Sequence, residues 1–272
     1  MLVGVLGPEG TYSEMAALAL GYTEGVLCYF ANVEDVARDL IERRLDCGVI
    51  PLENSIEGSV GTTLDVLLTL PVEIIREIVL PIRHYLAAQE GADISIVYSH
   101  WQAIAQCNAF LRSFGKEVVA VSSTSQAARM ASENRQSAAI ASSRAAERYR
   151  LQIIHADIQD VEDNFTRFVV IARRGRRIEA QAGLKTSIVL ELKHNKPGAL
   201  YKVLYIFAER QLNLTKIESR PAKRSLGEYI FYIDLEGNAS DAAVVSAFTS
   251  LQAHVSRLKV LGSYTSATPS AP

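Results

Sequence analysis

Cysteine is scarce in this chain, since three occur among 272 residues. They are Cys28, Cys47 and Cys107, an odd number without the CxxC spacing of redox and zinc motifs. A disulfide framework and a structural zinc site are therefore not expected. All three lie in apolar, periodic segments, where buried thiols are typical. This usage indicates a reducing compartment, and we expect a cytoplasmic protein.

A strong charge of either sign and a long apolar run are also missing. The formal net charge is -2, so the chain lacks the basic surface that nucleic-acid-binding proteins use. The apolar region 62–82 is interrupted by four charged residues and does not predict a membrane span. The start Met1–Leu6 has neither a basic segment nor a long apolar core, so it predicts a first strand instead of a signal peptide.

The composition and the order of patterns indicate two α/β domains. Hydrophobic residues make up 49% and charged residues 21%, as in soluble globular enzymes, and the length suits about two domains of roughly 150 residues. Strand and helix patterns alternate to residue 172, which predicts a mostly parallel sheet with helices on both faces. The polar segment 173–185 predicts a domain boundary, and the order after it is βαββαβ. The small polar tail 266–272 is expected to be disordered.

Some segments have clear local signals. Asn32 is placed to cap the second helix. The β-branched segment 73–86 is predicted to form two extended pieces interrupted by Pro81, and the apolar run 169–172 predicts a buried strand. One further helix is predicted with a single apolar stripe. That stripe consists of Ala103, Ile104, Cys107, Phe110 and Leu111.

The stretch Asn164–Phe168 carries the strongest functional signal. It places the hydroxyl of Thr166 beside the guanidinium of Arg167 and between two aromatic rings, next to the buried strand. Ligands of open α/β sheets bind at strand ends. A hydroxyl donor and a fixed cation there suit a small anionic substrate with a leaving oxygen. The alternative is a strand end at which the threonine caps a turn and the arginine is solvated.

Three more polar clusters follow predicted strands. Gly7–Ser13 joins the first strand to a helix, where glycines admit a ligand and the helix N-terminus favours an anion. Pro51–Val60 packs amide, hydroxyl and carboxylate groups into one loop, or else forms a turn with self-satisfied side chains. Ser99–Gln102 contains His100, which with His84 is a candidate general acid. The alternative for both histidines is a capping or satisfied structural role.

These clusters, in this order, resemble the prephenate dehydratase family. The segments that carry the resemblance are Gly7–Thr11, Pro51–Val60, Ser99–Ala103, Ala138–Ser142 and Thr166–Phe168. The later part of the chain resembles an ACT regulatory domain through Asn195–Leu200 and Glu218–Pro221. One departure is Trp101, at a position where the family usually has proline. The resemblance implies a two-lobed, periplasmic-binding-protein-like catalytic domain over residues 1–174 and a ferredoxin-like (βαββαβ) ACT domain over residues 186–264.

The resemblance also implies an activity, the conversion of prephenate to phenylpyruvate with loss of water and carbon dioxide in phenylalanine biosynthesis. Thr166 would donate a hydrogen bond to the departing oxygen, Arg167 would bind a carboxylate or support the loop, and Phe168 would shield the site. The implied substrate-binding residues are Thr11, Asn54, Ser55, Gly58, Ser59 and Asn164. No metal or organic cofactor is expected.

For the ACT part, the resemblance implies feedback inhibition by phenylalanine and side-by-side pairing of subunits in a homodimer or homotetramer. The implied phenylalanine-binding residues are Asn195, Pro197, Gly198, Ala199, Leu200, Glu218 and Ser219. Three alternatives stay open: an ACT part that only mediates dimerisation, a non-catalytic two-lobed amino-acid sensor, and an arogenate dehydratase. No residue in the sequence decides between prephenate and arogenate.

Overall fold

The computed structural model describes residues 1–175, 184–223 and 227–267. Most of the predicted linker, at 176–183, and the end of the predicted disordered tail, at 268–272, lie outside the described residues. The chain forms two compact units. The first contains Met1–Thr63 and Ile78–Phe168, and the second contains Leu64–Glu77 and Val169–Ala267.

The strands and helices alternate through the chain as expected for an α/β protein. The strands are β1 Val3–Leu6, β2 Leu27–Phe30, β3 Cys47–Asn54, β4 Gly58–Ser59, β5 Val72–Pro81, β6 Tyr85–Ala88, β7 Ile96–His100, β8 Glu117–Val121, β9 Ser137–Ala141, β10 Gln152–His155, β11 Phe165–Arg173, β12 Leu184–Leu192, β13 Leu214–Pro221, β14 Tyr229–Glu236 and β15 Val255–Thr265. The helices are α1 Tyr12–Ala19, α2 Val33–Ile41, α3 Gly61–Thr69, α4 Trp101–Gln106, α5 Asn108–Phe114, α6 Thr124–Glu133, α7 Ser143–Arg148, α8 Ala199–Glu209 and α9 Ala242–Leu251.

Two sheets give the first unit its two lobes. One has the order β2-β1-β3-β11-β5, with β4 paired to β3, and the other has the order β10-β6-β9-β7-β8. Strand β1 is parallel to β2 and β3, and β7 is parallel to β8 and β9, whereas β6 is antiparallel to its neighbours. The residues of β5 up to Glu77 and the residues of β11 from Val169 onward belong to the second unit. The α/β class and the two lobes are as predicted.

Local side-chain signals account for the helices that the sequence predicts well. Helix α2 begins after Asn32, whose side chain accepts a hydrogen bond from the backbone of Asp35. Its apolar residues recur at helical spacing and are buried: Val33, Val36, Ala37 and Leu40. Strand β11 is buried on both faces from Phe168 to Ala172, as expected of a central strand.

The structure corrects two of the local predictions. The predicted single helix with one apolar stripe is two helices, α4 and α5, because the backbone at Cys107 leaves the helical region (φ −121°, ψ 28°). The carboxylate of Asp160 accepts hydrogen bonds from the backbone N–H groups of Asn108 and Ala109, which stabilises the N-terminus of α5. In addition, the Thr166–Phe168 segment does not precede the buried strand but lies within it.

The second unit has the predicted βαββαβ order. Its sheet has the strand order β13-β14-β12-β15, and β12 and β13 pair antiparallel with their neighbours. Helices α8 and α9 supply Val203, Phe207, Val244, Ala247 and Leu251 to a core with residues of the sheet. Among the described residues, no helix combines the length and the apolar character that a membrane crossing needs.

Residues 64–77 belong to this second unit and contact its sheet. The Tyr232 hydroxyl donates to the carbonyl of Leu64 at 3.1 Å, and Lys259 Nζ donates to the carbonyl of Leu70 at 2.7 Å. At Gly262 the backbones approach so closely that a Cβ atom would lie 2.1 Å from the carbonyl oxygen of Ile74. The end of α3 and the start of β5 are therefore fixed to the βαββαβ sheet.

Candidate active site

A cavity of about 560 Å³ lies in the first unit, lined by residues from both of its sheets. Its polar lining consists of Thr11, Tyr12, Ser13, Asn54, Glu57, Ser59, His84, His100, Gln102, Gln106, Ser122, Ser123, Thr124 and Thr166. Its apolar walls include Leu6, Ile82 and Phe168, and Gly58 leaves room at the loop after β3. The size and the mixture of a few polar groups with apolar walls suit a small organic ligand.

The features of the cavity lining that attract an anion are helix N-termini and not charged side chains. Among the described residues that line it, none is lysine or arginine, and Glu57 is the one carboxylate. Helices α1 and α6 begin at the cavity, with Thr11 and Ser123 as their N-caps. The N–H groups at a helix N-terminus carry partial positive charge and attract carboxylates. Backbone dipoles are therefore the source from which this lining can bind an anion.

The hydroxyl of Thr166 faces the cavity in a defined orientation. Asn54 Nδ2 donates to Thr166 Oγ1 at 2.9 Å, so the threonine oxygen acts as an acceptor. The other side of the amide is fixed, because Asn54 Oδ1 accepts from the backbone N–H groups of Ile56 and Glu57, both at 3.0 Å. Thr166 therefore keeps its own proton for a ligand in the cavity.

Asn164 lies behind this pair and is fully buried. Its Oδ1 accepts from Asn54 Nδ2 at 2.8 Å, and its Nδ2 donates to Gln106 Oε1 at 3.0 Å. Gln106 Oε1 is also 2.9 Å from His84 Nε2. A continuous hydrogen-bond network thus runs from Thr166 in one lobe to α4 in the other.

Arg167 and Ser55, both predicted for the site, are not among the residues that line the cavity. Successive strand residues point to opposite faces, so Arg167 points away from the face that Thr166 and Phe168 share. Its Nη1 lies 3.4 Å from Glu53 Oε2. Ser55 Oγ accepts from the Phe165 N–H at 2.9 Å and donates to the carbonyl of residue 163 at 3.1 Å, which ties two loops together.

Of the nine residues predicted for catalysis and substrate binding, six line the cavity. They are Thr11, Asn54, Gly58, Ser59, Thr166 and Phe168. Asn164 lies behind Asn54 and contacts it. The hydroxyl of Thr11 is already used, because it donates to the carbonyl of Leu6 at 2.7 Å and accepts from the Glu14 N–H. Thr11 therefore shapes the start of α1 and leaves ligand binding to neighbouring backbone N–H groups.

The two candidate general acids are poorly suited to that role. Burial lowers the pKa of His84 below its ordinary value of 6.5, and it also lowers the pKa of His100. Both imidazoles are therefore neutral near pH 7, whereas a histidine general acid must be protonated. His100 lies at the start of α4 without a side-chain capping bond, and its ring centroid is 5.5 Å from that of Trp101.

Several lining residues were not predicted from the sequence. Ser122–Thr124 follow β8 directly and start α6, and serine–threonine runs before an alanine-rich helix are a recognisable capping signal. Tyr12 and Gln102 belong to the predicted clusters Gly7–Ser13 and Ser99–Gln102, although neither residue was predicted to bind a ligand. Gln106 has no local signal, because its role depends on contacts with residues 22 and 58 positions away in the sequence.

In the second unit, the predicted phenylalanine-binding residues lie on two elements. Gly198 has positive φ (78°) and precedes α8, which begins at Ala199. Asn195 Nδ2 donates to the carbonyl of Gly227 at 2.6 Å. On β13, Glu218 lies opposite Tyr232 of β14 in the strand register, and Ser219 lies opposite Phe231. The Oε2 atom of Glu218 lies 3.4 Å from Lys216 Nζ. Pro197 and Leu200 flank Gly198 and Ala199 in sequence.

Comparison with known families matches nearly the whole chain. Residues 3–176 match the sequence model of the family described as prephenate dehydratase, and residues 186–252 match that of the ACT domain. These two matches leave a gap at 177–185.

Individual relatives match over similar lengths. Prephenate dehydratase of Methanocaldococcus jannaschii is 42% identical over 263 residues, which are 94% of this chain and 95% of the relative. The bifunctional chorismate mutase/prephenate dehydratase of Aquifex aeolicus is 42% identical over 266 residues, or 96% of this chain and 73% of the relative. The crystal structure of prephenate dehydratase from Arthrobacter aurescens in complex with L-Phe superposes with a TM-score of 0.87 at 33% identity, covering 98% of this chain and 90% of that one.

Proposed function

This chain belongs to the prephenate dehydratase family, and from that premise we propose how its cavity carries out the reaction. The enzyme is a lyase that removes water and carbon dioxide from prephenate and leaves phenylpyruvate. The observation that carries the proposal is the hydrogen bond from Asn54 to Thr166 at the cavity wall.

The chemical step needs a donor at the departing oxygen. The C–O bond of the ring hydroxyl breaks with its electron pair, while the electrons of the bond to the ring carboxylate move into the ring and release carbon dioxide. The hydroxide that leaves takes a proton and becomes water. Thr166 is a poor acid, so it stabilises the developing negative charge by hydrogen bonding, and the proton is taken up from the solvent, so that the reaction consumes one proton overall. The bond that Asn54 donates to its oxygen polarises the hydroxyl and strengthens it as a donor.

The lack of a cation in the described lining fits a decarboxylation. A lysine or arginine fixed against the ring carboxylate would stabilise the charged ground state more than a transition state in which that charge moves into the ring. The pyruvyl carboxylate still needs a partner, and we assign it to the N-termini of α1 and α6 with Gly58 and Ser59 beside them. Phe168 excludes water on the apolar side.

We assign Arg167 to support of the site instead of contact with the substrate. Its partner Glu53 lies on β3, next to Asn54, so the pair holds the strand that carries Asn54 against the strand that carries Thr166. Of the two roles that the sequence left open for Arg167, this is the one that the geometry favours.

The proposed division into a catalytic domain at 1–174 and an ACT domain at 186–264 is supported by the extents of the two family matches.

We assign feedback inhibition by phenylalanine to the ACT domain. The related protein from Arthrobacter aurescens was crystallised with L-Phe. In this chain the ligand would lie at Asn195–Leu200, where the start of α8 offers N–H groups to a carboxylate. Glu218 and Ser219 point to opposite faces of β13, so one of them would contact the amino group of the ligand and the other would fix the neighbouring loop. Homodimer or homotetramer formation through ACT pairing and a cytoplasmic location stay predictions, which the family's biosynthetic role supports.

Two other functions remain as outcomes of a direct test. The relatives compared above are named for prephenate, which does not favour arogenate as the main substrate. A sensor without activity would have no use for a threonine proton held ready at the cavity wall. Purified protein should convert prephenate to phenylpyruvate, followed by ultraviolet absorbance, and should convert arogenate more slowly in a parallel assay. Faster turnover of arogenate would reassign the substrate, and no turnover of either would support the sensor.

A further inference from the structure

His84 is a buried polar residue that the proposed chemistry does not use. It lies between β5 and β6 and is 3% exposed, and its backbone N–H donates to Gln159 Oε1 at 2.9 Å. Its ring edge lies against Tyr12, with centroids 6.5 Å apart. The ring makes one side-chain hydrogen bond, from Nε2 to Gln106 Oε1 at 2.9 Å.

The direction of each hydrogen bond in the network follows from the backbone. Because the N–H groups of Ile56 and Glu57 both donate to Asn54 Oδ1, the Asn54 amide nitrogen must face Thr166 and Asn164. Asn164 then accepts through Oδ1, and its nitrogen donates to Gln106 Oε1. Since Gln106 Oε1 is an acceptor, His84 Nε2 must carry the proton in its bond to Gln106.

This assignment leaves His84 Nδ1 as a bare acceptor. It is buried and has no hydrogen-bond partner in the part of the chain that the structure describes. A buried polar atom without a partner destabilises the fold. A histidine placed only for stability would not carry that cost, so the useful group of this ring is its Nε2–H.

The Nε2–H of His84 determines which way Gln106 faces. With Oε1 held by both His84 and Asn164, the Nε2 group of Gln106 is turned away from them. Gln106 lines the cavity, and within residues 1–175, 184–223 and 227–267 the hydrogen bonds of its side chain are the two to Oε1. Its two protons are therefore available to a ligand. Without His84, one of the two bonds that fix the amide is lost, and the side chain can rotate.

We propose that His84 is a positioning residue that acts through Gln106: its Nε2–H holds the Gln106 carbonyl so that the Gln106 amide N–H groups point at the substrate. This inference rests on the proposed function, because the substrate to which Gln106 donates is the one assigned above. His84 itself touches no reacting atom and transfers no proton. Its effect on turnover passes through one neighbouring side chain.

Two substitutions at His84 distinguish the roles of the two ring nitrogens. In His84→Gln the amide nitrogen extends to the position of Nε2 and can still donate to Gln106. In His84→Asn the shorter side chain reaches the position of Nδ1 and cannot. We expect H84Q to keep kcat within about threefold, and H84N to lose about 10- to 100-fold in kcat, the cost of a misplaced group near the chemistry. Equal losses in folded H84Q and H84N, or normal kcat in H84N, would overturn the proposal.

A double-mutant cycle with Gln106 tests whether the effect passes through that residue. In a Gln106→Ala background, H84N should cause no further loss in kcat, because the group that His84 positions is already absent. Multiplicative losses would contradict action through Gln106 and indicate a general structural role. Melting temperatures of all four proteins identify any variant that fails to fold, and in that event the spectroscopic measurement on the wild-type protein carries the test.

A spectroscopic measurement tests the proposal independently of activity. In protein labelled with ¹⁵N-histidine, the ring of His84 should appear as the neutral tautomer with the proton on Nε2, and H84Q identifies its signals by their loss. A neutral ring with the proton on Nδ1 would contradict the assigned direction of the network. Failure of wild-type protein to convert prephenate would instead contradict the proposed function, so the two failures are distinguishable.

Discussion

Asn54 donates a hydrogen bond to Thr166 across neighbouring strands of one sheet, with 2.9 Å between Asn54 Nδ2 and Thr166 Oγ1. The bond uses a lone pair of the threonine oxygen, which leaves the proton of Thr166 for another acceptor, and Asn54 is itself held by the backbone of the loop after β3. A residue 112 positions earlier in the sequence therefore controls the group that meets the leaving oxygen.

Reversing the polarity of this bond should impair catalysis. In Asn54→Asp the side chain only accepts, so Thr166 would donate to it and turn its proton from the cavity, and the new charge would repel an anionic substrate. We expect kcat for prephenate to fall by about 100-fold or more. Asn32→Asp is the charge control at an exposed helix cap, where aspartate still accepts from the Asp35 N–H although the bond from Asn32 Nδ2 to the Asp35 carboxylate is lost. Comparable kcat values in the two variants would contradict the role of Asn54.

The supporting role of Arg167 predicts a loss of stability with little change in substrate affinity. Glu53→Gln removes the charge that faces the largely buried guanidinium, which should reduce the free energy of unfolding by about 1–3 kcal/mol. KM for prephenate should stay within about threefold. A small shift of the strands weakens substrate binding less than the loss of a direct contact between the substrate and a charged side chain would. A large rise in KM for Arg167→Lys at unchanged melting temperature would show instead that Arg167 binds a substrate carboxylate.

The pKa of His84 predicts how acid affects stability. Burial lowers this pKa in the folded protein below the ordinary value of 6.5, so at mildly acidic pH the unfolded chain binds the proton more readily. The free energy of unfolding should therefore rise as the pH increases toward 6.5 and become independent of His84 above it. Urea unfolding at pH 5 and pH 7 measures this. The wild type should lose more stability on acidification than His84→Gln, and equal losses would contradict a depressed pKa.

The contact between Tyr232 and the carbonyl of Leu64 predicts a regulatory variant. Helix α3 begins directly after Val60 of the cavity, and its later residues are bound to the ACT sheet. Tyr232→Phe removes one of these bonds without changing the packing. The phenylalanine concentration for half-inhibition should rise about fivefold, a coupling change of about 1 kcal/mol, while turnover without phenylalanine is unchanged. Tyr229→Phe, at an exposed position of the same strand, is the control. Identical inhibition curves for both would exclude this contact from the coupling.

The parts of the fold that local chemistry determines could be predicted from the sequence. The Asn32 cap depends on groups within three residues of each other, and the βαββαβ order depends on periodicities of single elements. Helix α3 was missed although Thr62, Asp65 and Thr69 recur at helical spacing on its less buried side, because the helix is short and lies inside one long apolar region. The break at Cys107 was missed because it depends on Asp160, which is distant in sequence.

The residues of the candidate site also differ in whether local sequence could predict them. Thr166 and Phe168 were predicted with Arg167, although strand alternation alone places Arg167 on the opposite face, and that rule was available from the sequence. Gln106 and its bonds to His84 and Asn164 could not be predicted, because each contact joins segments that meet only after both sheets have formed. Helix N-termini were recognised at Gly7–Ser13 and missed at Ser122–Thr124, where the same signal is present.

The most direct test of the account compares Thr166→Ala with Thr166→Ser in the prephenate assay. Serine keeps a hydroxyl that Asn54 can orient, whereas alanine removes the donor at the leaving oxygen. We predict that Thr166→Ser retains turnover within about tenfold, and that Thr166→Ala loses about 100- to 1,000-fold in kcat with the fold and melting temperature preserved. Near-normal kcat in a folded Thr166→Ala protein would contradict the central claim that this hydroxyl assists departure of the oxygen.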